Sequence, residues 1–262
     1  MSVSLGLILD TTRQSLPALA ARRAQLERAA AAAPAPLDFV STFRGPALGL
    51  IAEVKRRSPS AGSINESLDP VARAVAYAAA GAAAVSVLTD GPFFGGSLED
   101  LRAVSAAVSV PVLRKDFILV EEQLLEARAA GAAAVLLIVR ALGADRLASL
   151  ASTARDLELG TLVEVHTAAE LDVALDAGAD VIGVNSRDLD TFRIDVDAAW
   201  QLVSRVPADR VAVAESGMAT LADAQRAANA GADAVLVGTA LSSAPEPTTL
   251  AAGIAGIVRR GR

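Results

Sequence analysis

The sequence predicts an α/β protein whose parallel strands close into a (β/α)8 TIM barrel behind an N-terminal helical extension, and three observations predict it. First, four stretches repeat one another: "YAAAGAAAVSVL" at 77–88, "ARAAGAAAVLLI" at 127–138, "ALDAGADVIGV" at 174–184 and "AANAGADAVLVG" at 227–238. Each reads as the last turn of a helix, a glycine cap, then a short buried strand. Gly81, Gly131, Gly178 and Gly231 lie roughly fifty residues apart. One strand–helix unit takes about thirty residues or fewer, so each repeat holds two. Second, the intervening strands are present. "GLIAEV" (49–54), "VPVLRK" (110–115), "GTLVEV" (160–165) and "VAVAES" (211–216) are short, apolar and β-branched. Third, eight units close after roughly 210 residues, which favours a barrel over an open sheet. No G-x-G-x-x-G follows the first strand, which weakens a dinucleotide-binding alternative.

Composition narrows the chemistry. The chain has 262 residues, 53% of them hydrophobic and few aromatic, as suits helices packed closely on a sheet. A net charge of −6 argues against a nucleic-acid surface, so an anionic ligand must be held by local basic groups. With no cysteine, disulfides and thiolate chemistry are excluded, and the single histidine, His166, disfavours a histidine metal site. The longest uncharged run, Ala74–Thr89, is too short to span a membrane and is broken by Gly81. No secretory pattern opens the chain, so a cytoplasmic protein is expected.

Taken in order, residues 1–48 form the extension and 49–262 the barrel. The extension reads as two amphipathic helical pieces around a flexible "AAAAAPAPLD" that cap the barrel's bottom or side. The first strand ends in Glu53 and Lys55, two residues apart and pointing the same way, followed by Arg56 and Arg57. After the second strand, "GPFFGGSLED" (91–100) carries Phe93 and Phe94 on a loop that its glycines should leave mobile. Within it Ser97 reads as a helix N-cap, with Asp100 three residues on. The third strand ends in Lys115-Asp116, the fifth in Glu164-Val-His166 and the seventh in Glu215-Ser-Gly217. Alternate strands share a layer of barrel interior, and catalytic groups gather where strands end. Any one of these charges could be an ion pair bracing the mouth. Four at matching depth point to one site.

The mixture suits general acid–base catalysis by lysines and carboxylates. His166, already in the loop, is a rival base but reads better as a solvated loop residue or as outer support of the site. Gly217 and Gly238 follow the seventh and eighth strands, the usual phosphate position in this fold. Simple tight turns are the plainer explanation of each glycine; the pairing favours phosphate. Ser58, beside Lys55, could close that cradle. Phe94 and Phe117 suggest either a planar ligand or apolar anchoring of their loops.

"IAEVKRRSPS", "SVLTD…FFGGS", "PVLRKDF", "LVEVHT", "IGVNSRDL", "AESG" and "VLVGTAL" occur in this order on these strands, from about residue 46 to 245. Together they resemble the motif set of the indole-3-glycerol phosphate synthase family. That resemblance implies ring closure of 1-(2-carboxyphenylamino)-1-deoxyribulose 5-phosphate with loss of carbon dioxide and water, in tryptophan biosynthesis. It implies a monomer needing no cofactor or metal, whose partner is that small phosphorylated substrate, with neither nucleic acid nor membrane. By resemblance Lys115 is the general acid at the carbonyl and Glu164 the acid or base of the later steps. Lys55 holds anionic groups and shares the dehydration protons, Glu53 orients and tunes the lysines, and Glu215 joins the same network. Asn185, counted with the catalytic group, and Arg187 face the anthranilate end. Ser58, Gly217, Gly238 and Thr239 match phosphate positions, Ser216 also binds substrate, and Phe94, Phe117 and Leu189 surround the ring.

Phosphoribosylanthranilate isomerase is expected to need a cysteine, and the tryptophan synthase α-subunit lacks this lysine pair; both are disfavoured. A catalytically silent phosphate-binding barrel would not need Lys55, Lys115 and Glu164 together.

Overall fold

In a computed structural model, which describes residues 3–259, the four glycine caps set the repeat. Gly81, Gly131, Gly178 and Gly231 take φ of +92°, +84°, +76° and +99°, a region that favours glycine. At each, the next amide reaches back to the same helical carbonyl position: Ala82 to Tyr77, Ala132 to Ala127, Ala179 to Ala174 and Ala232 to Ala227, at 3.0–3.1 Å. This is the Schellman geometry, and it releases the chain directly into a strand.

The strands are β1 (Gly49–Val54), β2 (Ala84–Leu88), β3 (Val112–Lys115), β4 (Ala134–Ile138), β5 (Gly160–Val165), β6 (Val181–Asn185), β7 (Val211–Glu215) and β8 (Ala234–Val237). Every neighbouring pair is parallel, and β1 bonds both β2 and β8, so the sheet closes into a barrel. Two ends differ from the sequence reading. β3 starts at Val112, because Pro111 has no N–H for the ladder. β7 stops at Glu215, because Ser216 turns to φ +64°.

The interior is layered by the two-residue period of the strands. Ile51, Leu113, Leu162 and Val213 share one apolar cluster inside the barrel. Two residues further along these same strands stand Glu53, Lys115, Glu164 and Glu215. The apolar layer is therefore the floor beneath the four charges.

The extension departs from expectation. Both of its helices, Leu5–Ala20 and Arg23–Ala32, precede the proline-containing segment, and the second runs through the first four of its alanines. After that segment comes only the 3-10 turn Ser41–Phe43. Phe39 and Phe43 meet edge to face, ring centroids 5.0 Å apart, and plug the bottom of the barrel. A methyl group on Gly49 would strike the Phe43 ring, and one on Gly160 would press on Phe39. Leu26 and Ala30 pack on Leu125 at the side, while Leu5, Ile8 and Leu9 join the cluster containing Phe117 and Leu119 near the strand ends. The extension thus reaches bottom, side and mouth. Residues 1–2 and 260–262 of the two expected spans lie outside the described residues. Among the described residues, no helix is long and apolar enough to cross a membrane.

Candidate active site

The charged strand ends meet in one cavity of about 460 Å³ at the C-terminal mouth of the barrel. β3 delivers Lys115 to its centre. The ammonium lies 2.6 Å from Glu215 Oε2 and 3.6 Å from Glu164 Oε2. Burial by itself would lower the Lys115 pKa, but Glu215, Glu164 and Glu53 overcome it and raise the pKa above the ordinary lysine value. Burial is also the largest influence on Glu215. It drives that carboxyl upward, with Glu164 adding to the push and Lys115 opposing it.

At the β1 wall, Lys55 Nζ is 2.9 Å from Glu53 Oε1. Burial would raise Glu53, yet Lys55 and then Lys115 hold it below the usual carboxylate range. The backbone here is fixed by Ser242, fully buried in the helix after β8. Its hydroxyl donates to the Glu53 carbonyl at 2.9 Å and accepts the Lys55 amide at 3.1 Å. Gly238 lies against this pair: a methyl group there would meet the Glu53 carboxylate and sit 2.8 Å from Lys55 Nζ. Thr239 begins the Thr239–Ser243 helix, whose first amides have no intrahelical partner, and both residues line the cavity. Ser216 and Gly217 line it from β7, with φ +64° and +73°. Ser58 lies on a short hairpin, Arg57–Ser58 against Gly62–Ser63, and accepts the Ala61 amide at 3.2 Å.

The opposite side is apolar and planar. The Phe94 and Phe117 rings lie 6.1 Å apart, tilted by 38°, with Leu189 on the same side of the cavity. Asp116 lines the cavity with its carboxylate already engaged by its neighbours. It accepts the Phe117 amide at 2.8 Å and pairs with buried Arg114 at 2.9 Å, so it aims the ring. Asn185 accepts the Arg187 amide at 3.0 Å. The Arg187 guanidinium donates to the Phe192 carbonyl at 3.2 Å, and burial lowers its pKa. A local pair with Asp188 or Asp190 does not form, because Arg140 takes both, at 3.0 and 3.9 Å.

The fifteen residues given catalytic or substrate-binding roles by the resemblance all line this cavity. Two expectations about their surroundings change. Arg56 grips Asp100 and the Gly95 carbonyl, and Arg57 the Gly91 and Pro92 carbonyls. The 91–100 segment is accordingly a short helix, Gly91–Phe94, pinned in place instead of a loose loop. Its glycines serve geometry: Gly95 caps the helix at φ +66°, and Gly96 lies against the Leu88 carbonyl, where no Cβ fits. Ser97 does cap the next helix, accepting the Asp100 amide at 3.0 Å. Second, His166 is not solvated. Its side chain is 5% exposed and stands between Glu164 and Glu170.

Sequence reasoning passed over Ser242 and Gly183. A methyl group on Gly183 would collide with a Glu215 carboxylate oxygen, so this glycine makes room for the acid. A glycine inside an otherwise branched strand was the available signal.

Comparison with known proteins agrees with this geometry. The family model described as indole-3-glycerol phosphate synthase matches residues 5–252, which takes in the extension as well as the barrel. The chain is 47% identical over 265 aligned residues to the indole-3-glycerol phosphate synthase of Mycobacterium ulcerans (strain Agy99), covering 99% of this chain and 96% of the relative. It is 49% identical over 252 residues to indole-3-glycerol phosphate synthase 2 of Streptomyces coelicolor, covering 96% and 98%. Among solved structures, a 3-hexulose-6-phosphate synthase superposes with a TM-score of 0.63 at 17% identity, covering 79% of this chain and 98% of that one. Thiamine phosphate pyrophosphorylase from Pyrococcus furiosus gives 0.60 at 18% identity, covering 80% and 95%; these two likenesses concern the fold alone. With its family model and its curated relatives matching almost end to end, the chain belongs to the indole-3-glycerol phosphate synthase family.

Proposed function

We propose that Lys115, Glu164, Lys55 and their partners carry out in this chain the reaction of its family, the closure of 1-(2-carboxyphenylamino)-1-deoxyribulose 5-phosphate to indole-3-glycerol phosphate. The observation that carries this reading is the position of Lys115, whose ammonium is held by Glu215 and Glu164 at the centre of the cavity. In the first step the ring carbon bearing the carboxylate attacks the C2′ carbonyl, and charge builds on the carbonyl oxygen. A lysine kept protonated by three carboxylates retains its proton until that oxygen becomes basic, then donates it. Loss of carbon dioxide restores the aromatic ring without an electron sink. Dehydration then needs an acid for the leaving hydroxyl and a base for the remaining proton, roles that fit Lys55 and Glu164 on facing walls.

The substrate is anionic at both ends, and the cavity has a cationic group toward each. Lys55, Ser58, Ser216, Gly217, Gly238 and Thr239 suit the phosphate. Arg187 and Asn185, beside Phe94, Phe117 and Leu189, suit the anthranilate. Glu53 and Glu215 hold the two lysines in register. A monomer is the expected state; sedimentation of the purified protein tests that directly. Cytoplasmic action fits a biosynthetic enzyme of this kind.

The test of the activity is optical. Adding the substrate should produce indole absorbance and fluorescence, with carbon dioxide released in equal amount. A protein that binds the substrate but yields no indole signal would instead be a silent barrel.

A further inference from the structure

His166 is the chain's sole histidine, and the roles assigned above leave it unused. It does not line the cavity. It stands directly behind Glu164, whose two carboxylate oxygens face different ways. Oε2 looks toward Lys115 at 3.6 Å, and Oε1 toward His166 Nε2 at 3.6 Å. Both Oε1 and Nε2 are buried, and neither has another hydrogen-bond partner. Two such atoms left facing each other are costly unless they serve one another. At 3.6 Å the pair is longer than a hydrogen bond, and such contacts in unliganded sites tighten when substrate binds.

The far side of the ring is fixed. Glu170 Oε2 accepts the His166 backbone amide at 2.7 Å and lies 3.3 Å from Nδ1. Glu170 Oε1 is 3.3 Å from Arg140 Nε. A carboxylate at Nδ1 keeps a proton on that nitrogen and leaves Nε2 free to take or give one. The charged groups facing the imidazole are thus Glu164 on β5, Glu170 on the Ala168–Asp176 helix and Arg140 beyond it. Burial would lower the His166 pKa, but the two carboxylates overcome it and raise it, with Arg140 opposing.

We propose that His166 is a positioning residue that shares one proton with Glu164, held in the required tautomer by Glu170. This rests on Glu164 being the acid–base group of the dehydration. When Glu164 takes the proton from the substrate carbon, the C–H bond breaks and an O–H bond forms at the carboxylate. Rotation of the protonated carboxyl then presents that O–H to Nε2, which takes the proton to give an imidazolium stabilised by Glu170 and an ionised Glu164. The reverse shift returns it when Glu164 must act as an acid. No redox partner is involved, and the proton count is unchanged.

A lone histidine makes the test clean. In tag-free protein labelled at the imidazole nitrogens, one titration is followed by NMR without assignment. Glu164→Gln should lower its midpoint by roughly one pH unit or more, as loss of an adjacent opposite charge does. Glu170→Gln should lower it as well. A midpoint that Glu164→Gln leaves in place would overturn the proposal, whatever the enzyme's activity. In kinetics, His166→Gln should reduce kcat roughly 10–100-fold, the range for outer partners that orient a working group, and should displace one limb of the pH–kcat profile with KM little changed. If kcat and the profile both stay as in wild type, or kcat falls with the profile unmoved, His166 is only packing. If the NMR coupling appears but Glu164→Gln keeps full turnover, the assigned role of Glu164 fails and the catalytic meaning of the pair fails with it.

Discussion

The Glu215 side chain on β7 reaches back over Gly183 on β6, whose register partner is Val213, and a methyl group on Gly183 would occupy the place of a Glu215 carboxylate oxygen. Because Glu215 holds Lys115 at 2.6 Å, the strand glycine controls the lysine at one remove. Gly183→Ala should therefore displace Glu215 and misplace Lys115. Overpacking of this kind costs about 1–3 kcal/mol of stability, and a shift of about 1 Å at a reacting group can cost ~100-fold in rate. Steady-state kinetics and a thermal melt check both. A variant with wild-type kcat would show that Glu215 is not needed in its present position.

Among the described residues the Arg187 guanidinium donates to the Phe192 carbonyl, while Arg140 takes the neighbouring aspartates. On the proposed reading its fork holds the anthranilate carboxylate. Arg187→Ala should raise KM, and should lower kcat too if the contact sets the angle of attack. Arg187→Lys should recover only part, because a point charge lacks the paired donors. If both variants match wild type, Phe94, Phe117 and Asn185 position the ring without it.

Gly238 touches the Glu53–Lys55 pair, so even Gly238→Ala should push that pair apart and weaken phosphate capture. The predicted signature is a raised KM with a smaller change in kcat, and Gly238→Asp should be worse because it adds a negative charge. Titration with inorganic phosphate, followed by competitive inhibition, reads the same defect without chemistry. Unchanged phosphate affinity in both variants would place the phosphate elsewhere.

The site was legible where chemistry follows the strand period. Glu53, Lys115, Glu164 and Glu215 end alternate strands, and a two-residue repeat inside a closed barrel leaves them no other place to point. The glycine caps were legible for a similar reason, since helix-to-strand turns of this form need a left-handed residue. What stayed hidden depends on pairings between distant segments. Ser242 bridges β1 only because β8 closes onto it, and Gly183 matters only because the Glu215 side chain of the neighbouring strand lies over it. Arg56 and Arg57 carry no sign in the sequence of their partners, Asp100 and the carbonyls near Gly91, which lie on another loop. His166 looked solvated because its loop is polar; Glu170, four residues on, captures its amide and turns the ring inward. The extension was misdivided because a run of alanines continues a helix as readily as it ends one.

Removing Lys115 should also leave a pH signature in stability. Breaking a buried ion pair by deleting one partner costs about 3–5 kcal/mol. Burial already raises the Glu215 pKa above its ordinary value of 4.5, and loss of Lys115 raises it further. A group whose folded pKa is raised imposes no penalty below its ordinary value, and the penalty grows as pH rises through the raised one. Lys115→Met should therefore be nearly as stable as wild type near pH 5 and clearly less stable near pH 8, roughly in step with carboxylate ionisation. Equal destabilisation at both pH values would mean that Glu215 does not carry the buried charge.

The most direct measurement is the single-turnover rate of Lys115→Met, taken at a pH where circular dichroism shows it folded and equilibrium binding shows the substrate bound. A lysine that gives its proton to the carbonyl oxygen acts on the transition state more than on binding. Indole formation should slow by roughly 10²–10⁴-fold, while substrate affinity stays within a few-fold of wild type, as expected for uniform binding left intact. A bound variant that forms indole at near-normal rate would contradict the assignment of Lys115 as the acid.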